Sequence, residues 1–474
     1  MDTRGTVTDY EVKKGIMSRM KRYFRAYLPQ DRSERIKLLL LTLSFFLIIG
    51  AYTITKELKD IVFSEIVGKE YIWLAKLISI VLLVPSILLY SKFVDTLRRY
   101  QLLGGYSFAY GAVGLLFALL LNHPSIGLPN TDAGPYRIFG WLFYFFIEGY
   151  SPFVVSVFWS FVNSINNPES AKKNYALMVT GSKVGGMTTA AFAWVLLNIK
   201  DVSFWSHTMR YQVLLGTASL LLLMVPIVLY LLIKKVAGSH LHGYEAVYQV
   251  GKKRAKAGES ETGMFSGLSM LIKYPYAFGI FCVVLFYEII QTILNFQRIG
   301  IAKEGAATVS EFGASLFAMI FFVHFVGFII SLVGTRVLLE KLGEKRCLLL
   351  VPISTALLFI FFRVMDTQFS FFVFLIGIRA IHYAFSYPVR ESLYIPTVKE
   401  INFKSKSWTD AFGAKFAKAT GSAFNGITVW LGLAAAQSIL FTGIIGLWVL
   451  VAYMLGSRFE KAIENNEVIG LEKE

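Results

Sequence analysis

The sequence has few charged residues and almost no cysteine. Only 16% of its 474 residues are charged, whereas about a quarter are charged in a typical soluble domain. The two cysteines, Cys282 and Cys347, provide neither a disulfide framework nor zinc-ligand spacing. The six histidines are scattered, so they predict no metal cluster. These scarcities argue against an ordinary soluble enzyme, and we expect neither a metal nor a cofactor.

The sequence also lacks the loop with which many proteins bind and hydrolyse ATP. No G-x-x-x-x-G-K-[ST] segment occurs, because GSKVGG (181–186) and AKATGS (417–422) do not have the required spacing. Residues 1–36 are polar and contain no apolar run followed by a small-residue cleavage site, so no secretory signal is predicted. Neither an ATP-driven pump nor a secreted protein is expected.

Long apolar stretches dominate the chain. Its hydrophobic content is 55%, its mean hydropathy is +0.57, and stretches of about 20 residues are long enough to cross the ~30 Å hydrocarbon core of a bilayer. We predict an all-α polytopic membrane protein with about 12 transmembrane helices, near residues 37–58, 72–93, 101–121, 137–163, 174–198, 211–234, 274–297, 310–338, 347–364, 369–387, 411–434 and 437–457.

The order of these stretches predicts two related halves. Six stretches, a basic loop containing GKKRAKAGESETG and six further stretches form the layout of an MFS-like transporter with two six-helix bundles. We predict an N-terminal segment (1–36), a first bundle (37–234) and a linker (235–273). A second bundle (274–457) and a C-terminal tail (458–474) follow.

Loop charges predict the orientation in the membrane. Lysine and arginine exceed aspartate and glutamate by 16, and basic residues follow the second, fourth, sixth and eighth stretches, whereas loop 122–136 has none. By the positive-inside rule both termini are cytoplasmic. This rule accounts for most of the basic excess, so no nucleic-acid partner is expected and the chain is expected to lie in the lipid bilayer. We also expect a monomer.

Ionisable residues inside the apolar stretches are the candidate site residues, since each costs about 2.5–3.5 kcal/mol at the centre of a span. Lys56, Lys59 and Asp60 lie at i, i+3 and i+4 on one helix face. They are typical of a cavity wall, although cations at a helix end can also extend to the membrane surface.

Two carboxylates lie deep in apolar sequence. Glu148 has apolar residues on both sides, and Gly149 and Pro152 predict a helix break beside it. The alternative role for Glu148 is a structural ion pair with a neighbouring helix. Glu288 begins a polar stripe that continues at helical spacing through Thr292 and Asn295, which favours a pore-lining helix.

Further charged residues surround the tenth and eleventh stretches. Arg390 and Glu391 lie between Pro388 and Pro396, a pattern typical of the discontinuous helices of transporters. Lys404 and Lys406 flank the start of the eleventh stretch, where they could serve as membrane anchors. Lys415 and Lys418 lie inside this stretch at i, i+3.

An excess of lysine and arginine along a membrane path indicates an anionic substrate with several charges. Phosphate suits both side chains, because lysine is a flexible point charge and arginine can bind two oxygens at once. A phosphorylated metabolite or a nucleotide is therefore predicted, with Glu148 and Glu288 limiting repulsion in the empty cavity or carrying a coupled proton. The alternative class of protein is a membrane-embedded enzyme acting on lipid or phosphate groups. The sequence argues against it, because its His, Asp and Glu residues do not show the spacing of metal ligands.

Several segments resemble the non-mitochondrial ATP/ADP translocase family of plastids and obligate intracellular bacteria. YTITKELKD (52–60) is similar to the family's YTILRDTKD, and PVRESLYIP (388–396) is similar to P-x-K-E-x-x-Y-I-P. KSKSWTD (404–410) and AKATG (417–421) resemble KGKAAID and GKSGG, and the ESAK segment (169–172) with KNYALMVTGSKVG resembles the family's EAKRFY-x-LF segment. The resemblance extends in order over most of residues 37–430.

This resemblance implies an MFS-like fold and nucleotide transport, typically ATP exchanged for ADP and phosphate, with no reaction catalysed. The family's functional charged positions correspond to Lys59, Glu148, Glu288 and Lys406. Charge and position add further candidates: Lys56, Lys418, Arg390 and Glu391 around the substrate, and Tyr394 for stacking on a base, a role that Trp159 shares.

The chain departs from the family pattern near two of these positions. Thr292 replaces a family lysine, and Ser407, Trp408 and Thr409 replace AAI. The alternative function is that of a proton-coupled importer whose substrates are other nucleotides, NAD or sugar phosphates. The sequence shows no acid-poor transit peptide, which favours the inner membrane of an intracellular bacterium over a plastid.

Overall fold

The computed structural model is built almost entirely of α-helices. It describes residues 29, 31–165, 168–199, 206–236, 266–333, 335–382, 386–394, 396–397, 401, 409, 413–432 and 436–470. These residues include one isolated bridge, between Thr397 and Ile469, and no longer strand.

Seven α-helices lie in the described part of the N-terminal half. They are α1 (Arg32–Phe63), α2 (Ile72–Thr96), α3 (Arg99–Leu120), α4 (Ile138–Glu148), α5 (Ser156–Ile165), α6 (Pro168–Asn198) and α7 (His207–Lys235). Asp31 caps α1 and Ser206 caps α7, each accepting a hydrogen bond from a backbone N–H of the first turn. A π-helical turn (Ser64–Gly68) and a 3-10 turn (Lys69–Tyr71) join α1 to α2.

Eight α-helices follow in the described part of the C-terminal half. They are α8 (Ser266–Lys273), α9 (Pro275–Glu304), α10 (Val309–Val333), α11 (Thr335–Met365), α12 (Gln368–Ile381), α13 (Tyr387–Ser392), α14 (Ala414–Leu431) and α15 (Ala436–Glu464). Helix α11 is broken at Gly343, whose φ of 72° lies in the left-handed region that favours glycine.

Each of the twelve predicted stretches overlaps a helix. Eight helical segments of the described chain are long and apolar enough to cross a membrane: Arg32–Leu82, Arg99–Leu120, Ile138–Trp159, His207–Lys235, Pro275–Glu304, Val309–Ile330, Lys341–Met365 and Gln437–Glu464. Helices α6 and α14 are outside this set and are richer in lysine, glycine and small polar residues.

The two predicted helix interruptions are confirmed. Helix α4 ends at Glu148, and a π-helical turn (Ser151–Val155) separates it from α5. In the tenth stretch the short α13 ends at Ser392, between Pro388 and Pro396. Both helix ends carry charged residues, and backbone groups at such ends can line a cavity.

Helix packing defines both the halves and their contact. Helix α1 packs on α6 and α7, and α3 packs on α7, within the N-terminal half; α11 packs on α15 and α9 on α14 in the C-terminal half. The halves meet mainly where α6 lies against α10 and where α2 lies against α14. Each of the less apolar helices therefore contacts protein on more than one side: α6 packs on α1 and α10, and α14 packs on α9 and α2.

Candidate functional site

The first candidate site residues meet where α1 and α4 face each other inside the N-terminal half. Lys59 Nζ lies 2.5 Å from Glu148 Oε2 and 3.7 Å from Asp60 Oδ1. The same ammonium group lies 4.5 Å from the centre of the Tyr144 ring, a cation–π contact. Lys59 is only 6% exposed, so its charge is stabilised by the carboxylate and the ring rather than by water.

Charges from the C-terminal half approach this pair. Lys418 Nζ on α14 lies 3.7 Å from Glu288 Oε2 on α9, and Lys76 on α2 and Lys415 on α14 interact electrostatically with Glu148. We call the six residues the mixed-charge cluster: Lys59, Lys76, Glu148, Glu288, Lys415 and Lys418. Both halves contribute to it, and its four lysines are accompanied by two glutamates.

A cavity reaches the mixed-charge cluster from the side of α2, α3 and α4. It has a volume of about 360 Å³, and Glu148 lies in its wall with Ser79, Tyr110 and Phe146. The Glu148 side chain is 23% exposed, more than the Lys59 side chain that it pairs with. The carboxylate therefore borders open space while the ammonium group lies behind it.

A second polar group closes one end of the bundle between the halves. Arg298 on α9 lies 2.7 Å from Glu57 and 3.8 Å from Asp60 on α1. The Arg298 and Glu57 side chains are 0% and 1% exposed. Because both are buried, water does not enter between the halves at this level.

The same end carries further contacts between the halves. Lys303 lies 2.9 Å from Glu65 and donates a hydrogen bond to the Ser64 carbonyl, and Lys69 lies 2.6 Å from Glu304. Together these groups form what we call the polar end interface: Glu57, Asp60, Glu65 and Lys69 against Asn295, Arg298, Lys303 and Glu304.

A chain of hydrogen bonds links this interface to the tenth stretch. Asn295 Nδ2 donates to Asp60, and Asn295 Oδ1 accepts from Arg379 Nη2 at 2.9 Å. The Arg379 Nε also donates to Gln291 Oε1 at 2.8 Å. The polar stripe of α9 thus faces α1 on one side and α12 on the other, as expected for a helix that lines the contact between halves.

A third group of charges lies where α1, α6, α10 and α12 come together. His324 Nε2 lies 3.5 Å from Thr53 Oγ1, and His324 interacts electrostatically with Lys183 and Lys56. The ring of His382 stacks on Tyr287 with centroids 3.3 Å apart, and His382 interacts with Arg390 and Lys183. We call Lys56, Lys183, His324, His382 and Arg390 the basic cluster.

The predicted site residues therefore separate into several places. Lys59, Glu148, Glu288 and Lys418 lie together in the mixed-charge cluster. Lys56, only three residues from Lys59, instead lies in the basic cluster with Arg390. Tyr394 lies just after α13 and is 3% exposed. Lys406 and the side chain of Glu391 lie outside the described residues.

Sequence reasoning missed several charged residues of these groups. Glu57, Lys76, Lys183 and His324 were not predicted, although each lies within or at the edge of an apolar stretch. Glu148 and Glu288 were predicted because burying an ionisable group in a membrane is costly. The same criterion applies to Lys183 and His324 and could have identified them. Only the packing of the helices shows which of these groups meet.

Solved structures confirm the MFS-like fold. A D-xylose-proton symporter superposes with a TM-score of 0.58 over 90% of this chain and 96% of that chain, at 12% sequence identity. A bacterial homolog of the human lysosomal transporter Spinster gives a TM-score of 0.54 over 91% and 99%, at 13% identity. At these identities the likeness concerns the fold alone.

Curated relatives are carriers from intracellular bacteria and plastids. ADP,ATP carrier protein 4 of Rickettsia bellii is 24% identical over 92% of both chains. ADP,ATP carrier protein 1, chloroplastic, of Arabidopsis thaliana is 30% identical over 37% of this chain and 32% of its own length. The sequence model of the TLC ATP/ADP transporter family matches residues 136–459. Because this match covers more than half of the sequence, the chain belongs to the TLC ATP/ADP transporter family.

Proposed function

We propose that the protein is a secondary-active nucleotide transporter that exchanges ATP for ADP by alternating access. The observation that carries this proposal is the mixed-charge cluster, in which lysines and carboxylates of both halves meet within an MFS-like fold. Ionisable groups inside a membrane protein are costly and mark substrate paths. Membership of the TLC ATP/ADP transporter family supports a nucleotide as the substrate.

The mixed-charge cluster can respond to a polyanion because its lysines already have partners. Lys59 is held by Glu148 and Lys418 by Glu288, so the empty transporter contains no uncompensated pair of cations at these two positions. A bound phosphate group competes with Glu148 and Glu288 for the lysines. Binding of phosphate therefore weakens the Lys59–Glu148 and Lys418–Glu288 contacts. If phosphate binds more tightly to one facing state than to the other, it shifts the equilibrium between the two states.

The contact between the halves supports alternating access. The polar end interface closes the bundle at residues 57–69 and 295–304, and its separation opens the cavity at that end. We place the two bundles at 37–234 and 274–457, with 235–273 as the linker between them. Rocking of two such halves about a midplane site is the usual motion of this fold.

The same proposal includes the cellular setting. We assign the protein to the inner membrane of an intracellular bacterium as a monomer, with both termini in the cytoplasm. Rickettsial and chlamydial carriers among its relatives support this setting, and the basic loops support the orientation. Phosphate is proposed as a co-substrate of the exchange.

The test is uptake of labelled ATP into proteoliposomes that contain the purified protein. We expect uptake to require internal ADP and to be inhibited by external ADP, with GTP, NAD, sugar phosphates and phosphate as further competitors. Lys418→Gln is expected to reduce uptake at least tenfold, whereas the exposed Lys461 on α15 provides a matched control in which Lys461→Gln leaves uptake unchanged.

Two outcomes contradict the proposal in different ways. If uptake needs no internal nucleotide and is abolished by an uncoupler, the protein is a proton-coupled importer and not an exchanger. Glu148 and Glu288 are then the candidate proton carriers. Failure to take up any nucleotide, in protein that unfolds cooperatively in detergent, removes the nucleotide assignment itself.

A further inference from the structure

The chain reverses direction after α15. Helix α15 ends at Glu464, and Asn466 has a φ of 51°, in the left-handed region that asparagine tolerates better than most residues. The Glu467 N–H then donates to the Ala462 carbonyl at 2.8 Å. Residues 467–470 therefore turn back against the end of the C-terminal half, and we call them the C-terminal strap.

Side-chain hydrogen bonds hold the strap at both of its ends. Arg458 on α15 donates from Nη1 to Glu467 Oε2 at 2.8 Å and from Nη2 to Glu467 Oε1 at 2.5 Å. This two-point pairing makes an arginine–carboxylate contact specific as well as strong. At the other end, Tyr274, which directly precedes α9, donates from its hydroxyl group to the Gly470 carbonyl at 3.4 Å. The strap therefore bridges α15 and the beginning of α9.

The middle of the strap makes a backbone contact with the segment that follows α13. The Ile469 N–H donates to the Pro396 carbonyl at 2.7 Å, and Ile469 pairs with Thr397 in a parallel bridge. Ile469 is 6% exposed and belongs to the hydrophobic core. Main-chain hydrogen bonding thus joins the strap to this segment, and a buried side chain anchors the strap in place.

The segment after α13 needs partners from elsewhere in the fold because its described backbone is not helical. Irregular backbone in a membrane protein is tolerated where other parts of the protein satisfy its polar groups. Tyr276 on α9 donates to the Leu393 carbonyl at 2.8 Å, and the strap donates to the Pro396 carbonyl. Two carbonyl groups of this segment thus depend on α9 and on the C-terminal strap.

The same segment is hydrogen-bonded to the backbone of two candidate site residues, Arg390 and Tyr394. The Leu393 N–H donates to the Arg390 carbonyl at 3.2 Å. The Thr397 N–H and hydroxyl group donate to the Tyr394 carbonyl at 3.3 and 2.7 Å. Arg390 and Tyr394 are both buried. Because these bonds are local, a shift of this backbone displaces both residues.

We propose that the C-terminal strap is a positioning element, which fixes the segment after α13 and thereby places Arg390 and Tyr394 for the substrate. This inference rests on the proposed function and on the candidate substrate roles of these two residues. Arg458, Glu467 and Ile469 act through the segment and do not need to touch the nucleotide.

The strap lies far from the polar end interface. Helix α9 has 30 residues, about 45 Å at 1.5 Å per residue, and it separates Tyr274 at the strap from Glu304 in that interface. Along one side the strap borders a cavity of about 710 Å³ between α9 and α15. Because open space lies on that side, the hydrogen bonds to Arg458 and Pro396 carry much of the attachment. They can be altered without changing the polar end interface.

The experiment measures KM and Vmax for uptake of labelled ATP by the full chain in proteoliposomes, with the thermal unfolding temperature of each variant. Ile469→Pro removes the N–H that bonds to Pro396. It is expected to raise KM about fivefold, the size of one lost hydrogen bond, with a smaller change in Vmax. Ile469→Ala keeps the N–H but removes the packed side chain, so it should lower the unfolding temperature and leave KM closer to that of wild type. Val468→Ala, at a side chain that is 42% exposed, is the control and should change none of these quantities.

The Arg458–Glu467 pair provides a second test, which decides the question if Ile469→Pro does not fold. Glu467→Arg places two guanidinium groups together and should also raise KM. Glu467→Arg combined with Arg458→Glu restores opposite charges and should return KM towards the wild-type value. A loss of folded protein alone would instead reduce Vmax and leave KM unchanged.

The possible failures can be told apart. If Ile469→Pro and Glu467→Arg keep the wild-type KM, the strap is not a positioning element, while nucleotide transport by the wild-type protein stands. An equal rise of KM in Ile469→Ala and Ile469→Pro also overturns the inference, because the main-chain bond is then not responsible. If the wild-type protein takes up no nucleotide, the proposed function fails and the role of the strap fails with it.

Discussion

At the scale of single residues, burial decides which ion pair matters most for stability. Arg298 and Glu57 are both buried, whereas Lys69 and Glu304 form a pair of similar length with side chains that are 37% and 71% exposed. Water screens the exposed pair and leaves it worth about 0–1 kcal/mol. Removing one partner of a buried pair instead costs about 3–5 kcal/mol, because the other charge stays buried without compensation.

We therefore predict that Arg298→Gln lowers the thermal unfolding temperature in detergent far more than Lys69→Gln does. The reason is that Glu57 and Asp60 both lose their guanidinium partner. Glu57→Gln combined with Arg298→Gln should recover part of the loss, since no unpaired charge remains at that position. Equal unfolding temperatures for Arg298→Gln and Lys69→Gln would contradict the conclusion that the buried Arg298–Glu57 pair matters more for stability than the exposed Lys69–Glu304 pair.

Residue identity alone predicted part of this. Asp60 was a candidate because a charge in an apolar stretch is costly, and Arg298 follows the polar stripe of α9. The sequence could not say that Arg298 reaches Glu57, because the two residues are 241 positions apart and belong to different halves. Their pairing depends on how α1 and α9 are placed.

At the scale of secondary-structure elements, glycine determines how closely α1 and α6 approach. A Cβ on Gly185 would lie 2.5 Å from the Phe46 carbonyl oxygen, and a Cβ on Gly181 would lie 2.3 Å from Thr42. The two glycines are four residues apart and so share one face of α6. Small residues at this spacing let membrane helices pack backbone to backbone.

Gly185→Ala is predicted to destabilise the protein by about 1–3 kcal/mol, the usual cost of overpacking. The added methyl group meets backbone atoms of α1, which cannot rotate away as a side chain can. Gly300→Ala is the matched control, since no atom lies within 4 Å of that Cβ position in α9. Thermal unfolding of the two variants in detergent provides the comparison, and a Gly185 variant as stable as wild type would exclude the close contact.

The helix interruptions show what local sequence can predict. Gly149 and Pro152, and the pair Pro388 and Pro396, indicated breaks, and α4 ends at Glu148 and α13 at Ser392. Proline favours such ends because it removes a backbone donor and clashes with the preceding turn. Local sequence was less informative for α6 and α14. Their lower hydropathy becomes understandable only from their position, where other helices replace lipid as neighbours.

At the scale of the whole molecule, the polar end interface holds the halves together at one end. Lys303 of the C-terminal half contacts both Glu65 and the Ser64 carbonyl of the N-terminal half. These pairs are partly exposed, so each contributes about 1 kcal/mol or less. Interactions of that size can be broken and reformed during transport.

We predict that Lys303→Glu shifts the protein towards separation of the halves at this end. The substitution places a second carboxylate beside Glu65, where an ion pair existed. A change of about 1 kcal/mol alters the ratio of the closed and separated states at this end about fivefold. Spin labels at Glu70→Cys and Ala307→Cys, both exposed positions at this end, should report more of the longer distance after Cys282 and Cys347 are replaced.

The reversed pair supplies the control for this measurement. Glu65→Lys combined with Lys303→Glu restores opposite charges at the same positions and should return the distance distribution towards that of the wild-type protein. If the distances are the same in all three proteins, the ion pair does not contribute to closure.

Local sequence predicted the apolar helical stretches, their approximate limits, the interruptions and the presence of costly charges inside these stretches. These features are local, since hydropathy over about 20 residues and the backbone chemistry of proline and glycine act within one segment. The grouping of the charges, in contrast, is a property of the folded structure. It placed Lys56 and Lys59 in different clusters and brought Lys183 to His324, because electrostatic interaction depends on distances between helices that no single segment specifies.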